Sequence, residues 1–100
     1  MNIPDSVTCI GQQAFYKCAK LVDVILTSKS SLKELGSGAF QGCEMLKRVA
    51  LPDNLERVAE QSFMQSGLEE LTVPRSAKVI EKRAFCECKQ LQNVKFTEGS

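Results

Sequence analysis

The stretch AFYKC, residues 14–18, returns as AFQGC at 39–43, as SFMQS at 62–66 and as AFCEC at 84–88. The phenylalanines at its second position, Phe15, Phe40, Phe63 and Phe85, are spaced by 25, 23 and 22 residues. A period of about 20–29 residues is the mark of a chain that stacks one short structural unit on the next. Each phrase is therefore read as one rung of a coil.

The columns around the phenylalanine support that reading. Five residues before it stand Ile10, Leu35, Val58 and Ile80, and eight before it Val7, Leu32, Leu55 and Ala77. After it come Cys18, Cys43, Ser66 and Cys88, then Leu21, Leu46, Leu68 and Leu91, then Val24, Val49, Leu71 and Val94, then Leu26, Leu51, Val73 and Phe96. The residues between these columns are mostly polar. One rung of this length cannot bury its apolar side alone, whereas stacked rungs place each column as a ladder inside a shared core. The third copy reaches its leucine one residue early, at Gly67–Leu68, and a tightened corner with positive φ at Gly67 is expected there.

VDVIL, KRVAL, EELTV and QNVKF alternate inward and outward with period two and hold β-branched residues, so they read as parallel strands, one per rung. The AFxxC stretches are short and are expected to form one or two helical or 3-10 turns on the opposite flank. LKEL and its counterparts before them are expected to add a second short strand or an extended bend. The predicted class is thus an α/β repeat solenoid of about four turns, one domain over residues 1–100, with repeats at 3–26, 27–52, 53–74 and 75–96.

With the columns in place, IPDSVTCIGQQAFYKCAKLVDVIL resembles a unit of the BspA-like leucine-rich repeat family, with its Ile-Pro turn, LxxIG, AFxxC and LxxVxL. The likeness runs through all four copies. It implies a right-handed, curved solenoid that holds another macromolecule, and it brings no catalytic residues. Two departures bear on corner geometry: Ser62 and Ser66 replace the Ala and Cys of the motif, and Ala59 and Glu81 stand where the first two copies have Gly11 and Gly36.

Thirteen basic against twelve acidic residues leave a net charge of +1, with the signs interleaved along the chain. Nothing in that pattern steers the protein to nucleic acid or to an acidic lipid surface. No apolar run approaches the roughly 20 residues of a membrane span.

Five cysteines and no histidine raise metal and redox chemistry. Cys18, Cys43 and Cys88 share one core column, where cysteine acts as a small buried hydrophobe. Cys18 and Cys43, on adjacent rungs, could approach disulfide distance, but Cys43 and Cys88 are two rungs apart, beyond the roughly 7 Å limit. Cys9 and Cys86 fall off the template and are expected to meet solvent. Cys86-x-Cys88 lacks the CxxC spacing of a zinc or thiol-redox site, so neither a metal nor a cofactor is expected. GSGAFQG, at 36–42, is spaced GxGxxxG rather than GxGxxG and is read as corner glycine. The carboxylates have no histidine beside them to tune an acid and a base, and no enzyme is expected.

The outward strand positions form the expected protein-binding face: Asp23 and Ile25, Arg48 and Ala50, Glu70 and Thr72, Asn93 and Lys95, with Thr27, Pro52, Pro74 and Thr97 continuing the rows. Ile25, Ala50 and Thr72 make a mild apolar strip flanked by charge, suited to a protein partner. The face has too few aromatics to stack sugars or single-stranded bases. Tyr16 and Met64, on the flank, are a second candidate contact.

No polar cap is evident, and FTEGS at 96–100 matches LTSKS, 70 residues earlier, a register that predicts another repeat after Ser100. Open-end contacts are therefore expected at Val7, Ile10, Val94 and Phe96, in a longer array or in a small subunit whose ends neighbours cover. The two functional readings are a noncatalytic protein-binding scaffold acting through the strand face and a structural subunit of a larger assembly.

Overall fold

In the structure, a computed structural model that describes residues 2–81 and 83–96 (Phe96 by its backbone alone), the chain winds as a parallel-strand β-solenoid of four rungs. Every rung contributes two strands rather than one. The strands are β1 (Cys9–Ile10), β2 (Asp23–Val24), β3 (Glu34–Leu35), β4 (Arg48–Ala50), β5 (Arg57–Val58), β6 (Glu70–Val73), β7 (Val79–Ile80) and β8 (Asn93–Phe96). They form two four-stranded parallel sheets, ordered β1-β3-β5-β7 and β2-β4-β6-β8. The second short strand expected in the LKEL-type segments is thus present in each rung.

The repeat columns are the sheet registers. Ile10 pairs with Leu35, Leu35 with Val58 and Val58 with Ile80; in the other sheet Val24, Val49, Leu71 and Val94 follow one another. Leu32, Leu35, Phe40, Leu46, Leu55, Val58, Phe63, Leu68 and Leu71 are sealed from solvent in the two middle rungs. The four phenylalanine rings stack down the coil with centroids 5.2, 5.3 and 5.4 Å apart and planes within 11° of parallel. Ring stacking at the rung spacing adds to the area each ring buries, so this column ties neighbouring rungs together.

The AFxxC flank is not helical; no described residue is in a helix. Alternate residues serve different rungs. The N–H groups of Ala14, Tyr16 and Cys18 close tight turns onto Gly11, Gln13 and Phe15, each at 3.2 Å. Those of Gln13, Phe15 and Lys17 leave the rung and donate to Ser37, Ala39 and Gln41 of the next, at 2.9, 2.8 and 2.7 Å. Gly38, Phe40 and Gly42 repeat this onto Glu60, Ser62 and Met64. A helix would consume all of these donors within one rung and leave nothing to join it to the next. The flipped peptides require left-handed residues, found at Gln13, Lys17, Gly38, Gly42, Gln61, Gln65 and Glu87 with φ between 54° and 77°. Such φ at the third residue of a tight turn is the type II pattern.

The shortened third copy closes as its length demands, but by another route than positive φ. A Cβ on Gly67 would lie 2.0 Å from the Glu44 carbonyl oxygen, while the Gly67 N–H donates to Cys43 O at 3.1 Å. Gly67 is there for close approach, and its φ is not left-handed. Gly36 serves the same purpose against Gln12 and Gly11 of the first rung.

Two stability outcomes follow from this packing. Phe40→Ala removes a ring stacked on both sides and should cost about 3–5 kcal/mol in urea unfolding. Gly67→Ala forces the second and third rungs apart and should cost about 1–3 kcal/mol, although it adds only a methyl group.

Candidate protein-binding face

The sheet β2-β4-β6-β8 carries the expected face. Parallel register sets Asp23, Arg48, Glu70 and Asn93 in one outward row and Ala50, Thr72 and Lys95 in another, with Ile25 continuing the second row beyond β2. Ile25 is half exposed and is bridged by Asn2 on its open side. The predicted strip of Ile25, Ala50 and Thr72 is therefore contiguous. Pro52 and Pro74 do not continue it: both are buried under the turns that follow the strands, because each chain bends inward there to start the next rung. Thr97 lies outside the described residues.

The charges beside the strip are matched to one another. Arg48 Nε is 3.2 Å from Glu70 Oε2, and Lys47 Nζ is 3.4 Å from Glu69 Oε2. Exposed pairs of this kind stabilise by about 0.2–1 kcal/mol each, so a partner can open them at modest cost. Lys47 and Glu69 were not among the expected contacts, although their place between the leucine and the strand in successive copies marks them as neighbours.

The other sheet bears a second charged ladder that the sequence reading did not single out. Arg57 reaches Glu34 at 3.4 Å on one side and Glu81 at 3.2 Å on the other. Opposite charges in adjacent repeats were the signal. On the flank, Tyr16 is 41% exposed with Lys17 Nζ 5.4 Å from its ring centroid, whereas Met64 is only partly exposed. A shallow trough beside it, bounded by Lys17, Glu44, Lys47, Gln65 and Glu87, mixes both signs of charge and is open to solvent.

The cysteines are all unpaired. Their column is more polar than a plain hydrophobe would require: Cys43 Sγ donates to Phe15 O at 3.1 Å and Cys88 Sγ to Phe63 O at 3.0 Å, each across to the preceding rung. Ser66 fills the same column in the third rung, with Oγ 3.5 Å from Cys88 Sγ. Burial pushes the Cys43 thiol from 9.0 up to about 11, and burial likewise raises Cys88, against the pull of its Ser66 hydrogen bonds. Cys9 is exposed as expected, but Cys86 is only partly so. Among the described residues no group of three or more Cys, Asp or Glu is placed to hold a metal ion. Among the described residues no helix is long and apolar enough to cross a membrane.

The expected end contacts divide. Ile10 is buried at 5% exposure and Val7 is partly buried, because Ile3 and the second rung cover that end; Ile10 is thereby corrected from an open contact to a core residue. At the other end Val94 is 46% exposed, and so is Ile80, at 41%. The side chain of Phe96 lies outside the described residues.

Repeat register, stacked phenylalanines and the AFxxC flank find their match in a known family, since the BspA-type leucine rich repeat region, described in six copies, covers residues 1–100. The chain belongs to the BspA-type leucine-rich repeat family. Solved structures of other family-like proteins superpose on it. A leucine-rich repeat protein of T. pallidum is 27% identical with a TM-score of 0.67, over 93% of this chain and 56% of that one. One from Bacteroides ovatus is 25% identical with a TM-score of 0.66, over 94% and 32%. A leucine-rich cell surface protein of Faecalibacterium prausnitzii, 24% identical with a TM-score of 0.66 over 99% and 32%, shares the fold. The chain thus spans about a third to just over half the length of these relatives. No curated protein sequence matches it. BspA-type repeats are commonly protein-interaction scaffolds and generally noncatalytic.

The thiols give a pH signature. An unfolded Cys43 ionises near 9.0 and the folded one only near 11, so the folded state binds the extra proton in between. Stability should be full below about pH 9 and fall as pH climbs towards 11, seen as a lower urea midpoint at pH 10 than at pH 8. Native alkylation should modify Cys9 rapidly and Cys43 only on unfolding.

Proposed function

We propose that this BspA-type protein is a noncatalytic scaffold that binds a protein partner through the face of β2, β4, β6 and β8. The observation that carries the reading is the contiguous Ile25–Ala50–Thr72 strip, apolar enough to be worth burying and rimmed by the exposed Arg48–Glu70 pair. An apolar centre inside a polar rim is the usual anatomy of a protein contact. The trough beside Lys17 and Glu44 is open and charged with both signs, unlike the concave, largely apolar pocket that a small ligand needs.

A second reading, a structural subunit whose ends are covered in an assembly, is favoured by the exposure of Ile80 and Val94. Substitution separates the two. The exchange Arg48→Glu with Glu70→Arg keeps the intramolecular pair while inverting the pattern a partner meets. It should leave stability within about 0.5 kcal/mol yet lower affinity for a partner isolated with the wild-type chain by about tenfold or more. Unchanged affinity would remove this face from the function. Under the second reading Val94→Asp would disrupt assembly far more than the exchange does.

A further inference from the structure

The two middle rungs carry a charge pattern on the β2-β4-β6-β8 face that the outer rungs lack. At the head of β4 stand Lys47 and Arg48, and at the same height on β6 stand Glu69 and Glu70. The first rung has Val22 and Asp23 there, and the fourth has Gln92 and Asn93. Two positive charges therefore face outward on one rung and two negative charges on the next, and the line between β4 and β6 separates the signs. Both rungs have a described neighbour on either side, so the pattern owes nothing to an end of the coil.

The pairs formed within the chain leave these groups room for a second contact. Lys47, Glu69 and Glu70 are all more than a third exposed, and the Arg48 side chain is 76% exposed. Arg48 approaches Glu70 by Nε at 3.2 Å, and its terminal nitrogens make no hydrogen bond among the described residues. A guanidinium offers five donors in a planar fork, enough to hold one carboxylate from the side and another from the end. The outward row beside these charges holds Ala50 and Thr72 on the same two strands. Both are small, so a second flat surface can approach closely.

A surface with opposite signs on either side of a line is complementary to itself. A half-turn of a second copy about an axis that runs along the strands, between β4 and β6, brings the two faces together with strand direction kept and rung order reversed. Then β4 lies over β6 of the second copy: Lys47 and Arg48 meet its Glu69 and Glu70, the reverse contacts form alongside, and Ala50 meets its Thr72. β2 lies over β8, with Asp23 against Asn93 and Ile25 against the aliphatic stem of Lys95, so no like charges meet. The other two-fold axis in the plane of the contact, along the coil, keeps rung order and sets the cations of the second rung against themselves. We propose that the partner of this face is a second copy of the chain, docked face to face about the two-fold axis parallel to the strands. This deepens, and rests on, the strand-face reading. Such a contact is isologous: each copy gives the same patch. Four strands about 4.8 Å apart and about five residues long span roughly 300 Å², well short of the ~800 Å² per partner of a stable complex, so the dimer forms and parts readily.

The test is sedimentation equilibrium of the full chain at low salt, from about 0.02 to 1 mM, the range of a weak contact. The wild type should pass from monomer to dimer and no further, because a two-fold contact closes on itself. About 0.5 M salt should shift it severalfold towards monomer. Lys47→Glu with Arg48→Glu makes both middle rungs acidic, and Glu69→Lys with Glu70→Lys makes both basic. Each variant alone should self-associate at least tenfold more weakly with circular dichroism unchanged, and an equal mixture of the two should dimerise again. The exchange Arg48→Glu with Glu70→Arg preserves self-complementarity and should dimerise with itself as the wild type does, yet pair poorly with the wild type. A monomer throughout, oligomers beyond the dimer, an acidic or basic variant that dimerises like the wild type, or a mixture that does not would overturn the proposal. If the partner isolated with the wild-type chain is a different protein, and the exchange weakens it while the chain itself stays monomeric, the strand-face reading stands and the second copy is excluded.

Discussion

Each rung must hand half of its flank amides to the next rung. That requirement sets the conformation of the AFxxC stretch, because a peptide can point its N–H out of the rung only if a neighbouring residue turns left-handed, as Gln13 and Lys17 do in the first copy and Gly38 and Gly42 in the second. The phenylalanine lies between these two residues, so its ring is delivered at the same height in every rung and stacks on the last at about 5.3 Å. Backbone pairing and ring stacking therefore repeat with one spacing. The parallel sheets on the other sides share it, which lets three different ladders close around one core without strain in their spacing.

Left-handed conformations at Gln and Lys carry a local cost, since non-glycine residues rarely adopt them. The cost is offset where both neighbours are present, as at Gln61 and Gln65, and less fully at the ends of the stack. Burial follows the same gradient. Phe40 and Phe63 are sealed, whereas Phe15 and Phe85 are only partly so. A repeat of this kind is stabilised by its interfaces rather than by any single rung, and the outer rungs each have one interface fewer among the described residues.

Charge is organised by the same neighbour relation. Arg48 with Glu70, Lys47 with Glu69, and Arg57 with both Glu34 and Glu81 all join residues about one repeat apart in sequence and one rung apart in space. On the proposed binding face Arg48, Glu70, Lys47 and Glu69 are thus already partnered, and its distinctive content is the weakly apolar row beside them. Lys78, Arg83 and Lys89 of the fourth rung depart from this pattern and make no ion pair among the described residues.

The ladders of the core were legible in the amino-acid sequence because apolar residues at one fixed offset from each phenylalanine have only one way to be buried together. One strand per rung was legible for a similar reason, period-two alternation, whereas LKEL and its counterparts read equally as a second strand or an extended bend, because two residues are too few to show a period. The flank was misread as helical because its deciding conformations fall at Gln, Lys and Glu, which give no local signal, while only Gly38 and Gly42 hinted at them. Gly67 was seen as special, but its purpose, contact with the Glu44 carbonyl, depends on where the neighbouring rung lies. Pairing of Arg48 with Glu70 and the covering of β2 likewise depend on register and on the course of residues 2 and 3. By itself the sequence determined the repeat, its columns and the class of fold, since these follow from periodicity and burial. Which backbone groups cross between rungs and which charges neutralise each other were decided by tertiary structure alone, because each is a distance between residues of different rungs.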